Sequence, residues 1–303
     1  PESKAETIMS KPFDVPFKSD VVPTMLSAES TIKFRCYKGI SCYNACCRQA
    51  DVTLTPYDII RLKQRFDISS GEFLKQYTVP FEMDADRVPG IKLKTTDEGA
   101  CLFMDEEGCS VYEDRPTACR YYPLGHLSLR HKDTSEDEAH YVLIEEPHCK
   151  GHQEDREIRI KDYLTEQDAA MFKEMNREWL QLILKKKSGG PSVGKPPESS
   201  LQLYFMACFD VDRFRRFVLS DAFKKSYDLP ETTYEVLRQD DIALMKFGFQ
   251  LMRQVLFAEM TIPEQESAWE KRAREREEVW NARREVEMAR YKKSEDDKYE
   301  KDV

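Results

Sequence analysis

The stretch CYKGISCYNACC, residues 36–47, packs four thiols into twelve positions, and sulfur at that density narrows what the chain can become. Such thiols end as disulfides, as metal ligands or as small buried side chains. Cys101, Cys109, Cys119 and Cys149 follow, and Cys208 stands alone in the apolar run LQLYFMACF. The N-terminal residues PESKAETIMSKPFDVPFKSD show no basic segment leading into an apolar one, so no secretory signal is read there, although a form already trimmed of its signal would look the same. The expected compartment is the cytoplasm, where thiols stay reduced and dense cysteine points to metal or catalysis rather than disulfides. Cys208, in its apolar run, reads as a buried structural thiol.

Spacing removes several familiar sites. The first group is Cys36-x5-Cys42-x3-Cys46-Cys47 and the second is Cys101-x7-Cys109-x9-Cys119, with Cys149 further on. No C-x2-C pair occurs, so zinc-ribbon and finger patterns are absent. Gln49 stands where the C-x3-C-x2-C run of radical enzymes needs its last cysteine, and bacterial ferredoxin spacing does not fit either. A tetrahedral zinc and a [4Fe–4S] cluster each take four thiolates, so eight cysteines make two sites of four or one site with spares. Cys46 and Cys47, being adjacent, are expected to point apart and to serve different sites or roles. Arg35, Arg48, Arg115, Arg120 and Lys150 flank the thiols and offer cationic charge that favours the thiolate. Arg115, Arg120 and Tyr121 are expected to support the second group rather than to act chemically. His148 and His152 flank Cys149; either suits a metal, but with eight thiols at hand they read as surface or hydrogen-bonded groups.

The remaining composition bounds the function. A net charge of −9 argues against nonspecific nucleic-acid binding. No apolar run reaches the roughly 18 residues of a membrane span. Phosphate-cradling glycine loops and a Ser/His/Asp signature are also missing.

Along the chain, residues 1–30 read as an extended arm and residues 31–153 as a cysteine-cluster metal-binding domain. Thr55-Pro56 and Ser69-x2-Glu72 are helix-start signals. IKLKT (91–95), CLFM (101–104), CSVY (109–112), HLSLR (126–130) and HYVLIEE (140–146) alternate as short strands. Residues 154–262 read as a helical domain with a loop at 188–200, including two further helices over 201–225 and 232–260. Residues 263–303 read as a charged helical tail in which Trp269 and Trp280 would anchor a protein partner, since tryptophan is enriched at binding hot spots; the competing reading is a solvated lone helix. The expected fold is mostly α, a small cysteine-rich α+β metal-binding head on a helical body with a long charged C-terminal helix.

CYKGISCYNACC, LTPYDIIRLKQRF, CLFMDEEGCSVYEDRPTACRYYPLG and CKG, in that order, resemble the YkgJ-type cysteine-cluster family, the zinc- or iron-chelating domain. The family's C-x-IY-x-x-RP-x-x-CR-x-YP element is closely matched from Cys109 to Pro123, and FDVDRFRRFV (209–218) is similar to a segment that follows the domain in many members. The resemblance covers roughly residues 34–220. One departure is the wider spacing of Cys36 and Cys42, where the family opens with C-x2-C-x2-CC. The resemblance implies metal binding by Cys36, Cys42, Cys46, Cys47, Cys101, Cys109, Cys119 and Cys149, as iron–sulfur or as zinc. The expected function is an iron–sulfur protein holding one or two [4Fe–4S] clusters, an electron-transfer or structural subunit of a larger redox assembly. The alternatives are a zinc-stapled interaction module and, through the family's flagellin lysine methylase, a protein-lysine methylase.

Overall fold

The computed structural model describes residues 20–268, apart from 23, 85–86, 131–136 and 189–195, together with positions 270, 274, 277, 281, 285 and 288. Trp269, Trp280 and most of the expected charged tail lie outside the described residues. About half of the described residues are helical. In chain order the elements are β1 (Thr31–Lys33), α1 (Ala45–Arg48), α2 (Pro56–Phe66), α3 (Ser70–Tyr77), β2 (Thr78–Glu82) and β3 (Pro89–Leu93). Then come α4 (Thr117–Tyr121), β4 (Leu124–Arg130), β5 (Asp137–Leu143), β6 (Glu157–Arg159), α5 (Ile160–Glu166) and α6 (Ala169–Ser188). The body continues with α7 (Glu198–Phe209), α8 (Val211–Val218), α9 (Asp221–Lys224), α10 (Glu231–Gln239) and α11 (Asp241–Phe257).

Both expected helix starts form. The Thr55 hydroxyl accepts from the Asp58 N–H while Asp58 accepts from the Thr55 N–H, and Ser69 and Glu72 make the same reciprocal box, so the first-turn donors of α2 and α3 are met. The two long helices expected over 201–225 and 232–260 are instead broken into five. Carboxylates and a hydroxyl inside those runs turn inward as caps: Asp210 accepts from the Arg213 N–H, Ser220 from Phe223, and Asp240 from Ile242 and Ala243. A side chain that satisfies first-turn donors starts a new helix whatever the apolar periodicity suggests.

Strands among the described residues form three separate antiparallel ribbons, β1–β6, β2–β3 and β4–β5. In the first, Ile32 faces Ile158, so the strand before the cysteines is tied to the one after them. The strands expected at 101–104 and 109–112 are absent. Single bridges, Thr95 with Cys101 and Met104 with Cys109, frame a tight turn there. The Asp105 carboxylate accepts from the N–H groups of Glu107 and Gly108 at 2.9 Å, and Gly108 has φ 137°. A turn that folds on its own aspartate has no need of a ladder.

The cysteine region is not a lobe set apart from the helical body. Leu62 of α2 and Phe73 of α3 enter the same core as Phe214, Phe249 and Met252. Lys63 of α2 lies 3.0 Å from Asp212 and 3.1 Å from Asp241, and the Ser70 N–H donates to Asp212 at 2.7 Å. Although burial pushes the Asp212 carboxyl up, Ser70 and Lys63 together hold it below the usual carboxylate range. A smaller second core gathers Ile32, Phe34, Tyr121, Leu124, Tyr141, Ile158, Ile160 and Tyr163.

Asp58 links the larger core to the cysteines. It is fully buried, and burial pushes its carboxyl up while hydrogen bonds oppose that. Beyond its bond to Thr55 it accepts from the N–H of Thr117 at 2.9 Å and from the Thr117 hydroxyl at 2.7 Å, so one carboxylate serves the N-termini of α2 and α4. Asn176 of α6 adds a bond to the same hydroxyl at 3.1 Å. Asp58→Ala strands these buried donors and is expected to cost about 2–4 kcal/mol in urea denaturation, with Asp58→Asn, which keeps an acceptor oxygen, costing less. Equal losses for the two variants would assign the effect to the charge rather than to the caps.

Candidate metal centre

Backbone hydrogen bonds, more than sulfur contacts, bring the cysteines together. The Arg35 N–H donates to the Gly151 carbonyl at 3.1 Å, which sets Cys36 beside the segment carrying Cys149. That approach needs glycine: a Cβ at 151 would stand 2.6 Å from the Phe34 ring and 2.9 Å from the Arg35 carbonyl oxygen. The Lys150 N–H donates to the Cys42 sulfur at 3.2 Å. On the other side the Cys101 N–H donates to the Cys47 carbonyl at 2.7 Å. Cys101 and Cys109 sit on the bridged turn, and Cys119 lies within α4, the helix that Asp58 holds.

The resulting sets differ from the order along the chain. Cys36 is acted on by Cys46, Cys42 and Cys149. Cys47 is acted on by Cys46, Cys101 and Cys119, and Cys119 by Cys101 and Cys109. Cys149 therefore leaves the second group for the first, and Cys47 makes the opposite move. Cys46 sits at the junction, its sulfur 4.0 Å from that of Cys47. All nine thiols are free; Cys36 and Cys46 are exposed, whereas Cys208 is buried in α7 beside Tyr204, away from both sets.

Little cationic charge is placed to help these thiols ionise. Burial raises Cys36 to about 11 and also raises Cys101, Cys109 and Cys119. Cys47 is raised chiefly because its thiol donates to Cys46, which that bond lowers to about 7. Arg115 is the cation that reaches Cys36 and Cys109. Arg120, expected to support the second group, is engaged elsewhere: its guanidinium donates to the carbonyls of Arg115, Gln167 and Glu113 at 3.1, 2.9 and 2.6 Å, stapling the loop before α4. Tyr121 packs into the smaller core near His126. His152 lies tilted against Phe34, ring centres 5.1 Å apart, with both ring nitrogens buried and unbonded, contrary to the expected surface or hydrogen-bonded role. His148 lies 3.5 Å from Glu146.

Among the described residues no three His, Cys, Asp or Glu side chains stand closely enough to hold a single ion as they are placed. The chemistry of the donor set nonetheless suits a thiophilic metal. Crowded, half-buried thiols are poor acids, and a metal ion or cluster supplies the positive charge that lets several of them ionise together. Soft sulfur donors select zinc or iron–sulfur over magnesium or calcium. Asp58, Asn176 and Gly151 escape a reading of the sequence because their partners are remote; only the helix start at Thr55-Pro56 was visible.

Residues 35–150 match the sequence model of the CxxCxxCC family, described as "Putative zinc- or iron-chelating domain". The matched span encloses the eight clustered cysteines and agrees with the resemblance carried by their motifs. No curated protein and no solved structure gave a match. Among the described residues no helix is long and apolar enough to cross a membrane.

The thiol shifts fix a pH dependence for the reduced, metal-free chain. Cys36, Cys47, Cys101, Cys109 and Cys119 are raised in the fold from an ordinary value of 9.0. Their contribution is fully present below pH 9.0 and drains away as pH climbs through the folded values, with Cys36 at about 11. Cys46 runs the other way, contributing above 9.0 and losing that contribution as pH falls through about 7. More groups are raised than lowered, so the melting temperature followed by circular dichroism is expected to fall from pH 9.0 to about 11. A flat profile over that window would contradict the burial of these thiols.

Proposed function

Taking residues 35–150 as a member of the zinc- or iron-chelating cysteine-cluster family, we propose that this chain is an iron–sulfur protein, an electron-transfer or structural subunit of a larger redox assembly. The observation that carries the reading is the convergence of eight free thiols from separate backbone segments into two sets that meet at Cys46. Cys36, Cys42, Cys46 and Cys149 would hold one centre, and Cys47, Cys101, Cys109 and Cys119 the other. A bound cluster supplies one-electron chemistry. The chain's own residues orient the sulfurs, donate the Lys150 N–H to Cys42, and part-bury six of the cysteines while leaving Cys36 and Cys46 exposed. N–H donation to ligand sulfur and solvent exposure would both tune the reduction potential of a cluster held there. The charged tail, through Trp269 and Trp280, would dock the protein partner.

Zinc is the second reading, favoured by the family's description and by an all-sulfur donor set that suits it equally. In that case the metal contributes folding energy rather than redox chemistry.

Metal and acid-labile sulfide analysis of the chain purified without oxygen separates the two: brown protein with matched iron and sulfide is expected. Colourless protein holding zinc alone would overturn the iron–sulfur reading and leave chelation standing. Cys119→Ser is expected to lose roughly half of the bound metal, one of two four-ligand sites, and Cys208→Ser almost none. Metal loss on the second substitution would show that the ligands are wrongly assigned.

A further inference from the structure

The Cys36–Cys42 loop, wider than the family's opening spacing, is a closed turn rather than slack chain. The Ile40 N–H donates to the Tyr37 carbonyl at 3.3 Å, and Gly39, third in that turn, takes a φ of 111° that glycine adopts freely. Ile40 is buried and anchors the turn, while Arg35, Cys36, Tyr37, Lys38 and Gly39 are all exposed. The loop is clamped to the tip of the turn at 101–108: Lys38 pairs with Glu107 at 2.5 Å, and the Tyr43 hydroxyl donates to the Glu107 carbonyl at 3.4 Å. The start of that same turn is bonded to the segment after Cys46, by the Cys101 N–H on the Cys47 carbonyl at 2.7 Å. The two segments that expose Cys36 and Cys46 are thus joined through one turn. Beside them Tyr37 is 39% exposed and Leu102 is 42% exposed, large apolar surfaces left facing water. Charge marks the same loop. From Thr31 to Ala50 the chain has Lys33, Arg35, Lys38 and Arg48 and no carboxylate. Lys33 is paired with Asp155 at 2.8 Å and Lys38 with Glu107, whereas among the described residues Arg35 forms no ion pair. Its guanidinium carbon instead lies 4.8 Å over the Tyr37 ring.

We propose that the turn from Arg35 to Gly39 is the landing surface for a small electron-carrying protein whose own face is rich in carboxylates, with Tyr37 and Arg35 as the anchors. The inference rests on the iron–sulfur reading and supplies the kind of redox partner it needs; the contact is separate from the docking assigned to the tail. Tyrosine and arginine are the residue types that carry most of the energy at interfaces, and a turn already closed costs little to order. A guanidinium stacked on a ring keeps its edge N–H groups free, in the fork that matches a carboxylate. The chain's net charge of −9 repels an acidic protein at a distance. Screening over about 8 Å in physiological salt removes most of that repulsion and leaves the nearby guanidinium to decide the contact. A carrier seated there lies against Cys36, so its electron need not cross the buried body of the protein.

The test is stopped-flow reduction of the full chain, purified without oxygen, by a pre-reduced acidic [2Fe–2S] ferredoxin. Sodium dithionite serves beside it as a reductant too small to need a docking face. Transfer from the ferredoxin is expected to slow as sodium chloride is raised, as steered encounters do. Arg35→Gln and Tyr37→Ser are each expected to slow it about tenfold, and Arg35→Glu further still, with iron content and the dithionite rate unchanged. Lys33→Gln, which removes a neighbouring cation already paired with Asp155, is expected to match the wild type. Variants as fast as the wild type, or a rate indifferent to salt, would overturn the landing surface and leave the cluster standing. Equal slowing with dithionite would overturn it too, as would no transfer from the ferredoxin to a chain that dithionite reduces. A chain that holds no iron as purified would instead overturn the iron–sulfur reading, and this surface with it.

Discussion

Sulfur atoms near enough to feel one another, and most of them part-buried, set the terms for the rest of this molecule. Every proton that leaves one thiol makes the next harder to remove, and burial adds to the cost. Cys36, Cys47, Cys101, Cys109 and Cys119 all sit above the ordinary thiol range for these reasons. Thiols in that state do not hold themselves together by attraction. The surrounding fold must hold them, and it does so from the backbone: Arg35 on Gly151, Lys150 on Cys42, Cys101 on Cys47.

Those backbone contacts stand where two hydrophobic cores meet. The larger core reaches the cysteines through Asp58, whose buried carboxylate joins the starts of α2 and α4 and so sets the helix bearing Cys119. The smaller core reaches them through Phe34, which packs where any side chain at Gly151 would stand. α2 and α3 share apolar and ionic contacts with α8 and α11 of the helical body. The proposed metal chemistry therefore depends on the whole helical body and not on the cysteine-bearing loops alone.

Local signals were legible where a feature is built from neighbours in the chain. The N-cap at Thr55 and the capping box at Ser69 formed as read, since their donors and acceptors lie within one turn. The strands read at 101–104 and 109–112 failed because Asp105 closes a turn on its own backbone, which apolar alternation does not register. The continuous helices read beyond residue 201 failed at Asp210, Ser220 and Asp240, polar residues that periodicity passes over and capping does not. Arg120 illustrates the same limit for the site: adjacent to a cysteine in sequence, it turns away to three carbonyls.

Composition and motif by themselves pointed to the clustered thiols, to the family model that residues 35–150 match, and to the mostly helical character of the described residues, because these depend on residue identity and on spacing within a few turns. Tertiary structure decided which thiol meets which. Cys47 and Cys149 exchange groups because loops far apart in sequence are joined by single hydrogen bonds whose partners no spacing rule reveals, while adjacent Cys46 and Cys47, expected to point apart, bring their sulfurs to 4.0 Å of each other.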